Sequence, residues 1–297
     1  MKTTVALLTC ERLPELNPAD RALIPLLAGQ DIVAVPVVWD TPDVRWQDFS
    51  ALIIRTTWDY YKQADAFRQW LNVIEETGVP VFNPVSVVRD NMHKFYLKRF
   101  QEEGIVIVPT LFSSADAPLK YETVLSQGWE KLVIKPAVSA GSFLTDTYAS
   151  NALTHDRFQA LISQGDWLIQ PYLPEIAVQG ELSLIFFNGV FSHAVLKKPK
   201  TGDFRVQRQY GGQYQRVDPT PGLLQIAQRI ATLQGNLLYA RVDGLMIGDE
   251  FHLMELELIE PDLYFEFGED ISKRFVGSVV EKMSAISVSN NTRSLAK

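Results

Sequence analysis

Cysteine is almost absent from this sequence, since Cys10 is the only one in 297 residues. A lone cysteine excludes an internal disulfide, and we therefore expect the reducing cytoplasm as the protein's location. Apolar runs long enough to span a membrane are absent as well, and the N-terminal apolar run is too short for a signal peptide. The sequence therefore predicts no membrane partner.

The motifs of several large enzyme classes are also missing. The sequence contains no GxxxxGK[ST], and no GxGxxG opens a helix, which excludes a P-loop and a Rossmann nucleotide site. The four histidines show no metal-binding spacing such as HExxH, and no GxSxG marks a hydrolase nucleophile. Any nucleotide must therefore be bound by another architecture.

An excess of positive charge is missing too. The net charge of −7 argues against nucleic acid as a partner, because phosphate backbones are bound by basic surfaces. The hydrophobic share of 46% and the charged share of 21% are those of an ordinary globular protein. The length allows two or three small domains or one large α/β unit.

What the sequence does contain is an acidic hairpin within residues 238–264. Two apolar runs flank the loop-forming residues 248–250. Because side chains alternate along a strand, Glu255 and Glu257 share one face of the second run. The opposite face receives Met254, Leu256 and Leu258.

The loop length sets the register of this hairpin. With a three-residue loop, Asp243 lies opposite Glu255 and Arg241 lies opposite Glu257, all on one face. A two-residue loop would turn Asp243 to the other face. Like charges across a strand pair destabilise it, so three acids on one face need a reason. They indicate either a solvated face neutralised by Arg241 or a site for a hard cation such as Mg²⁺.

The first 90 residues alternate strand-like runs with helical stretches, a pattern typical of a parallel sheet with helical crossovers. Ligands of such sheets bind beyond the carboxyl ends of the strands. Arg55 and Asp59 follow the apolar strand 52–54 and are therefore candidates for binding a zwitterionic or carboxylate substrate. The alternative is a local ion pair.

Two lysines occupy informative positions. Lys94 falls in the first turn of a predicted helix 91–103, where a cation opposes the helix dipole. Lys135 ends the apolar strand 131–135 and precedes a loop of small residues, 137–142. Small residues let backbone amides approach a phosphate closely, although such a loop can also be a plain turn. For Lys94 the alternative is an ordinary surface position.

A segment rich in glycine, glutamine and arginine spans residues 201–215 and contains Arg205. It follows a hairpin whose turn is Asn188-Gly189. The segment is predicted to be a mobile, positively charged loop suited to covering phosphates, with a plain surface loop as the alternative.

The order of these segments resembles the ATP-grasp superfamily, in particular its glutathione synthetase-like branch and the D-cycloserine-type cyclo-ligases. The residues that carry the resemblance are Asn83-Pro84, Lys94, Val133-Ile134-Lys135-Pro136, Ser139-Ala140-Gly141, Gln170-Pro171-Tyr172-Leu173, Gly180-Glu181, Arg241-Val242-Asp243 and Glu255-Leu256-Glu257. The resemblance implies an α/β chain, with an N-terminal parallel-sheet domain (1–90) that carries substrate. Two α+β subdomains, a small one (91–173) and a large C-terminal one (174–297), would clasp ATP between them.

The resemblance also assigns roles to residues, and it favours the metal interpretation of the hairpin. The residues implied to contact ATP are Lys94, Lys135, Ser139, Ala140, Gly141, Gln170, Tyr172, Leu173 and Glu181. Those implied to hold Mg²⁺, or Mn²⁺ in its place, are Asp243, Glu255 and Glu257. Those implied to act on the transferred phosphate are Arg241, Arg205 and Lys198.

Two departures from the family pattern stand out. Many relatives have asparagine where this chain has Glu257, so the metal-facing set is more acidic here. The loop 139–141 also lacks the extra glycines that some relatives carry, which puts its phosphate contacts in doubt.

The function that follows is a Mg-ATP-dependent ligase that joins a small-molecule carboxylate to an amine through an acyl-phosphate. The carboxylate would belong to an amino acid or a small peptide, and a homo-oligomer is compatible with the family. The alternatives are a phosphotransferase on the same scaffold, a nucleotide-binding regulatory protein without turnover, and a protein with a merely charged sheet face. The sequence leaves open which substrates are joined and whether the product is linear or cyclised.

Overall fold

The structure is a computed structural model that describes residues 3–203 and 205–295, with residues 287–295 as backbone only. Its first sheet consists of β1 (Thr3–Thr9), β2 (Ile32–Val38), β3 (Ala51–Thr56) and β4 (Val81–Phe82). The spatial order is β2-β1-β3-β4, and all neighbouring strands are parallel. The crossovers carry α1 (Pro18–Arg21), α2 (Leu23–Ala28) and α3 (Ala64–Thr77). The predicted parallel sheet is confirmed.

The central strands of this sheet are apolar because both of their faces are covered. β3 is buried along its whole length, and β1 is buried from its third residue onward. The buried residues of α3 recur at helical spacing and form one packed face: Phe67, Trp70, Leu71 and Ile74. The helix ends at Gly78, whose φ of 70° is a left-handed conformation that glycine adopts at little cost.

The segment after the first sheet differs from the single helix predicted for residues 91–103. Two short helices, α4 (Val85–Asn91) and α5 (Tyr96–Glu102), are joined by a turn that contains Lys94. Lys94 therefore lies between two helices, and the expectation that it falls in the first turn of a helix was wrong.

The second sheet is antiparallel and has the smaller core. It consists of β5 (Leu111–Ser113), β6 (Lys131–Pro136), β7 (Asp146–Ala149) and β8 (Trp167–Pro171) in the order β5-β8-β6-β7. Two helices, α6 (Tyr121–Leu125) and α7 (His155–Ile162), pack on one face. The loop between β6 and β7 holds the small residues singled out in the sequence.

The third sheet is also antiparallel and carries the acidic hairpin. Its strands are β9 (Glu181–Phe187), β10 (Val190–Lys198), β11 (Gln213–Val217), β12 (Tyr239–Ile247) and β13 (Glu250–Glu257), in the order β11-β10-β9-β12-β13. Two helices accompany it, α8 (Glu175–Val178) and α9 (Pro221–Thr232). The predicted turn at Asn188-Gly189 joins β9 to β10, whereas β11 occupies part of the segment predicted to be a loop.

The pairing predicted for the acidic hairpin is confirmed. Arg241 pairs with Glu257, and Asp243 pairs with Glu255, across β12 and β13. All four side chains line the same cleft. The two opposed pairs thus bring three carboxylates and one guanidinium together on one face of the sheet.

The predicted cause of this register was wrong. The loop has two residues, because Ile247 pairs with Glu250. A β-bulge between Asp243 and Gly244 then makes Met254 the extra residue on β13 and restores the alignment of the acids. The bulge also turns Met254 toward the cleft, so the prediction that it faces away was wrong.

The last helix, α10 (Glu269–Leu295), returns to the first sheet. Phe275, Val276 and Val279 of α10 share one hydrophobic core with Val5 and Leu7 of β1. The helix α5, in contrast, packs in the core of the third sheet. The predicted domain limits 1–90, 91–173 and 174–297 stay predictions. No helix in the described part of the chain is long and apolar enough to cross a membrane.

Candidate active site

A cleft of about 430 Å³ lies where the three sheets meet. Clefts of this size accommodate small-molecule ligands. The predicted site residues that line it are Lys94, Lys135, Ser139, Ala140, Gly141, Gln170, Tyr172, Leu173, Glu181, Arg205, Arg241, Asp243, Glu255 and Glu257. Three predicted residues do not line it: Lys198, Arg55 and Asp59.

Lys94 is buried at the centre of the cleft and joins the acidic hairpin to the small-residue loop. Its ammonium nitrogen lies 3.0 Å from Glu255 Oε1 and donates to the carbonyl oxygen of Ser139. Its backbone N–H donates to the carbonyl of Ala137 at 2.9 Å. These contacts on both sides fix a positive charge between the two elements, which speaks against an incidental surface position.

Lys135 reaches the same cleft from β6. Burial lowers the pKa of the Lys135 ammonium, Glu255 opposes this effect, and the nearby charge of Lys94 adds to it. A half-buried cation of this kind is stabilised by any anion that enters the cleft. Lys94 and Lys135 together therefore favour a ligand with phosphate or carboxylate groups.

A buried ion-pair network connects β9, β10 and β12. The ammonium group of Lys197 donates to Glu181 and lies 3.4 Å from Asp243 Oδ2. Burial by itself would lower the pKa of Lys197. The two carboxylates outweigh this effect and raise the pKa well above its usual range. Lys198 is exposed and does not line the cleft, because neighbouring residues of a strand face opposite sides. The role predicted for Lys198 stays a prediction, and it is the neighbouring Lys197 that lines the cleft.

Asp243 is held by several donors at once. Arg241 donates to its two oxygens at 2.8–3.1 Å, and the Ser183 hydroxyl donates to Oδ1 at 2.5 Å. Burial alone would raise the pKa of Asp243, but the charges of Arg241 and Lys197 hold it well below its usual range. Asp243 is therefore ionised and its orientation is fixed.

The pKa of Glu257 is shifted upward, in the opposite direction to that of Asp243. Burial raises the pKa of Glu257 well above its usual value, and the neighbouring acids Asp243 and Glu255 raise it further. Its contact with Arg241 lowers the pKa but only partly compensates. An additional cation beside Glu257 would therefore favour its charged form.

The fit of a divalent cation can be judged from these contacts. Within the described residues, no three acidic, histidine or cysteine side chains already converge as a metal site. Asp243 is engaged by its cations, whereas the side chains of Glu255 and Glu257 are 29% and 27% exposed. Mg²⁺ is commonly held by one or two carboxylates together with substrate phosphates. Glu255 and Glu257 fit such an ion when a phosphate ligand supplies the remaining oxygens.

The loop between β6 and β7 forms one wall of the cleft. Ser139 is buried, and its hydroxyl donates to the carbonyl of Pro136 at 3.1 Å. Gly141 has a φ of 58°, a left-handed conformation that glycine adopts readily. The carbonyl of Gly141 accepts a hydrogen bond from Gln209 at 3.3 Å. The loop is therefore fixed at both ends and connected to the segment that crosses the cleft.

The end of β8 forms the opposite wall. The side-chain amide of Gln170 donates to Thr110 Oγ1 at 2.8 Å. The backbone N–H of Tyr172 donates to the carbonyl of Lys131 at 2.8 Å, and the Lys131 ammonium lies 3.9 Å from the Tyr172 ring centroid. These contacts fix the path of the chain as it leaves the second sheet for the third.

Residues 205–209, which belong to the segment rich in glycine, glutamine and arginine, lie across the cleft. The guanidinium of Arg205 lies 3.7 Å from the Tyr210 ring centroid and pairs with Asp203 at 2.9 Å. Arg208 contacts Glu266, and both Arg205 and Arg208 line the cleft. The segment thus contributes positive charge to the cleft.

Comparisons with known proteins agree with this architecture. A family model described as the N-terminal domain of the D-cycloserine synthetase DcsG matches residues 5–83. The cycloserine biosynthesis protein DcsG of Streptomyces lavendulae is 28% identical over 287 residues, which cover 90% of this chain and 95% of that protein. The crystal structure of D-cycloserine synthetase DcsG has a TM-score of 0.82 at 23% identity and covers 94% of this chain and 99% of that one.

A second solved structure extends the comparison beyond DcsG. It is the ATP-grasp ligase PsnB in complex with a phosphomimetic variant of its minimal precursor, Mg and ADP. Its TM-score is 0.67 at 15% identity, covering 95% of this chain and 99% of that one. The chain has the ATP-grasp fold.

The structure places the two predicted substrate residues, Arg55 and Asp59, outside the cleft, and their role in substrate binding stays a prediction. Arg55 is 1% exposed, and its Nε donates to Asp20 Oδ1 at 2.8 Å. Its guanidinium lies 5.1 Å from the Tyr239 ring centroid, and it does not reach the cleft. Asp59 accepts a hydrogen bond from Trp39 Nε1 at 2.9 Å and is likewise outside the cleft. Both residues have structural partners, and the partner of Arg55 comes from α1.

Other residues of the same region do line the ATP-grasp cleft. Arg12 follows β1, and Trp58, Tyr60 and Tyr61 follow β3, so all lie beyond the carboxyl ends of parallel strands. That rule could have identified Arg12 and the aromatic residues from the sequence. Glu260, which follows the acidic hairpin, also lines the cleft; it is 8% exposed, and burial raises its pKa to about 8.

Proposed function

We propose that this chain is a Mg-ATP-dependent carboxylate–amine ligase that acts through an acyl-phosphate on an amino acid or a small peptide. The observation that carries the proposal is the charge arrangement around the acidic hairpin. Lys94 contacts Glu255 and Arg241 contacts Glu257, so two fixed cations flank the two carboxylates that are exposed to the cleft. Such an arrangement suits the binding of a metal ion together with phosphates.

The first step transfers the γ-phosphoryl group. An oxygen of the substrate carboxylate attacks the γ-phosphorus, the bond to the β-phosphate oxygen breaks, and ADP leaves with the electron pair. Lys94, Lys135 and Arg241 would balance the charge on the phosphates, and preorganised charge of this kind is a large part of catalysis. When bound at Glu255 and Glu257, Mg²⁺ would add Lewis-acid neutralisation of the phosphates.

The second step consumes the acyl-phosphate. The nitrogen of the amine attacks the acyl carbon, the carbon–oxygen bond to phosphate breaks, and the nitrogen loses a proton as the amide forms. Water would compete in this step, and residues 205–209 lie across the cleft where they can limit access of water. The absence of a side-chain nucleophile from this scheme is consistent with the motifs missing from the sequence.

Calorimetric binding of ATP, with and without Mg²⁺, tests the metal part of the proposal. The double variant Glu255→Gln, Glu257→Gln is expected to lose the magnesium-dependent part of ATP affinity. The matched control is Asp249→Asn, Glu250→Gln, which removes the same charge from the exposed end of the same hairpin. Equal magnesium dependence in both double variants would refute the proposed metal site.

Trapping with hydroxylamine tests the acyl-phosphate. A library of carboxylic acids is incubated with Mg-ATP and hydroxylamine, and both hydroxamate and ADP are measured. A ligase of this type forms hydroxamate in proportion to ADP. ADP formation without hydroxamate for any acid would instead favour the phosphotransferase alternative.

A further inference from the structure

The cleft has a side that the nucleotide and metal contacts proposed above leave free. Trp58 and Tyr60 follow β3 and line this side, together with Glu260, which follows β13. The indole N–H of Trp58 donates to the backbone carbonyl of Glu260 at 2.9 Å. The two aromatic residues and the acid therefore meet on the side of the cleft formed by the first sheet.

Glu260 differs from the other acids of the cleft in its partners. Glu181 contacts Lys197, Glu255 contacts Lys94 at 3.0 Å, and Glu257 contacts Arg241. Among the described residues, in contrast, no basic side chain lies within 4.0 Å of the Glu260 carboxylate, which is the distance limit of an ion pair. It is nevertheless 92% buried, with 8% of its surface exposed.

An acid in this position is costly unless a cation joins it. Burial raises the pKa of Glu260 to about 8, Lys94 lowers it, and the charge of Glu255 raises it further. A positively charged ligand group beside Glu260 would compensate this cost. Aromatic side chains favour the same kind of ligand, because a cation over an aromatic face is stabilised by the ring.

We propose that Glu260 binds the ammonium group of an amino-acid substrate, in a subsite walled by Trp58 and Tyr60. This inference rests on the proposed ligase function and names the class of its carboxylate substrate. The free amine would be held on the first-sheet side of the cleft, while the carboxylate of the same molecule faces the cations of the hairpin. Acids of the same size without an amine would bind weakly.

Binding measurements on matched ligand pairs test this subsite. The probes are the D and L proteinogenic amino acids, each paired with the 2-hydroxy acid that has hydroxyl in place of the amine. Dissociation constants are measured by calorimetry with Mg²⁺ and a non-hydrolysable ATP analogue present. The proteins are the native chain, Glu260→Gln, Glu260→Asp and the control Glu269→Gln, which removes an exposed acid.

The expected result has three parts. At least one amino acid binds ten-fold or more tightly than its 2-hydroxy partner, Glu260→Gln removes that preference, and Glu269→Gln keeps it. Glu260→Asp retains the charge and is expected to keep part of the preference. The affinity for the ATP analogue is expected to be the same in all four proteins, which also shows that the variants are folded.

Several results would overturn the inference. These are equal binding of the paired ligands, an unchanged preference in Glu260→Gln, or no binding by any amino acid to a chain that binds the ATP analogue. Failure to bind the ATP analogue would count against the ligase function instead. The paired ligands are then compared without nucleotide, and that comparison decides the ammonium subsite separately.

Discussion

Lys197 Nζ lies 3.4 Å from Asp243 Oδ2, although the two residues belong to strands that are not neighbours in the sheet. The strand between them, β9, supplies Glu181 and Ser183 as additional partners. One lysine thus connects three strands at the floor of the cleft. Its removal would leave two buried carboxylates with one cation fewer.

We expect Lys197→Gln to lower the free energy of unfolding by about 3–5 kcal/mol, because breaking a buried ion pair leaves an uncompensated charge. The matched control is Lys198→Gln, the exposed neighbour, which is expected to change stability by less than about 0.5 kcal/mol. Urea unfolding of both variants measures the difference. Equal stabilities would show that the buried network contributes little.

Arg55 gives a second stability prediction. Arg55→Met removes the cation that is buried against Asp20 and is expected to destabilise the fold by about 3–5 kcal/mol. A double-mutant cycle with Asp20→Asn should show strong coupling between the two residues. The KM for the carboxylate substrate is expected to stay unchanged at a temperature where the variant is folded. An increased KM in a variant of normal stability would show that Arg55 does take part in substrate binding.

His193 predicts how stability depends on pH. Its Nε2 contacts the Leu263 carbonyl at 3.1 Å, and burial lowers its pKa from 6.5 to about 4. The unfolded chain binds a proton at His193 more readily than the folded chain does. The contribution of neutral His193 to the free energy of unfolding is therefore fully present above pH 6.5. It is lost as the pH falls towards 4, by about 3 kcal/mol in total.

The measurement is urea unfolding of the native chain and of His193→Gln at several pH values between 4 and 7. Other groups titrate in both proteins, so the difference between their stability profiles isolates His193. The native chain is expected to lose more stability than the variant on acidification. Parallel profiles would show that His193 does not stay neutral in the fold.

Gly244 tests the bulge in the acidic hairpin. A Cβ at this position would lie 2.4 Å from the carbonyl oxygen of His252 and 2.4 Å from the Phe251 ring. Gly244→Ala is therefore expected to destabilise the chain by about 1–3 kcal/mol and to weaken Mg-ATP binding. The control Gly222→Ala lies in α9 with open space around it and is expected to be neutral or stabilising by about 0.5 kcal/mol. Thermal unfolding of the two variants makes the comparison.

Strand alternation and segment order predicted much of the cleft, because they depend on local sequence. The facing of Asp243, Glu255 and Glu257 is an example, yet it was obtained from a loop length that the chain does not have. The bulge at Met254 compensated for the shorter loop. No local pattern in the sequence predicts a bulge of this kind. Agreement in the register therefore came from two errors that cancel.

Residues whose role depends on distant partners could not be predicted in the same way. The partner of Arg55 is Asp20, which is 35 residues away in α1. Which of Lys197 and Lys198 faces the cleft depends on the pairing of β10 with β9, and that pairing has an irregularity at Ser192. Such facts are set by tertiary contacts, so the spacing of residues in the sequence does not contain them.

The return of α10 to the first sheet bears on how the protein folds during synthesis. The core that contains Val5 and Leu7 also contains Phe275 and Val279. This core therefore cannot be completed until the last helix has been translated. At roughly 5–20 residues per second, that interval lasts on the order of ten to fifty seconds. During this time the apolar face of the first sheet that α10 later covers is open to binding by a ribosome-associated chaperone.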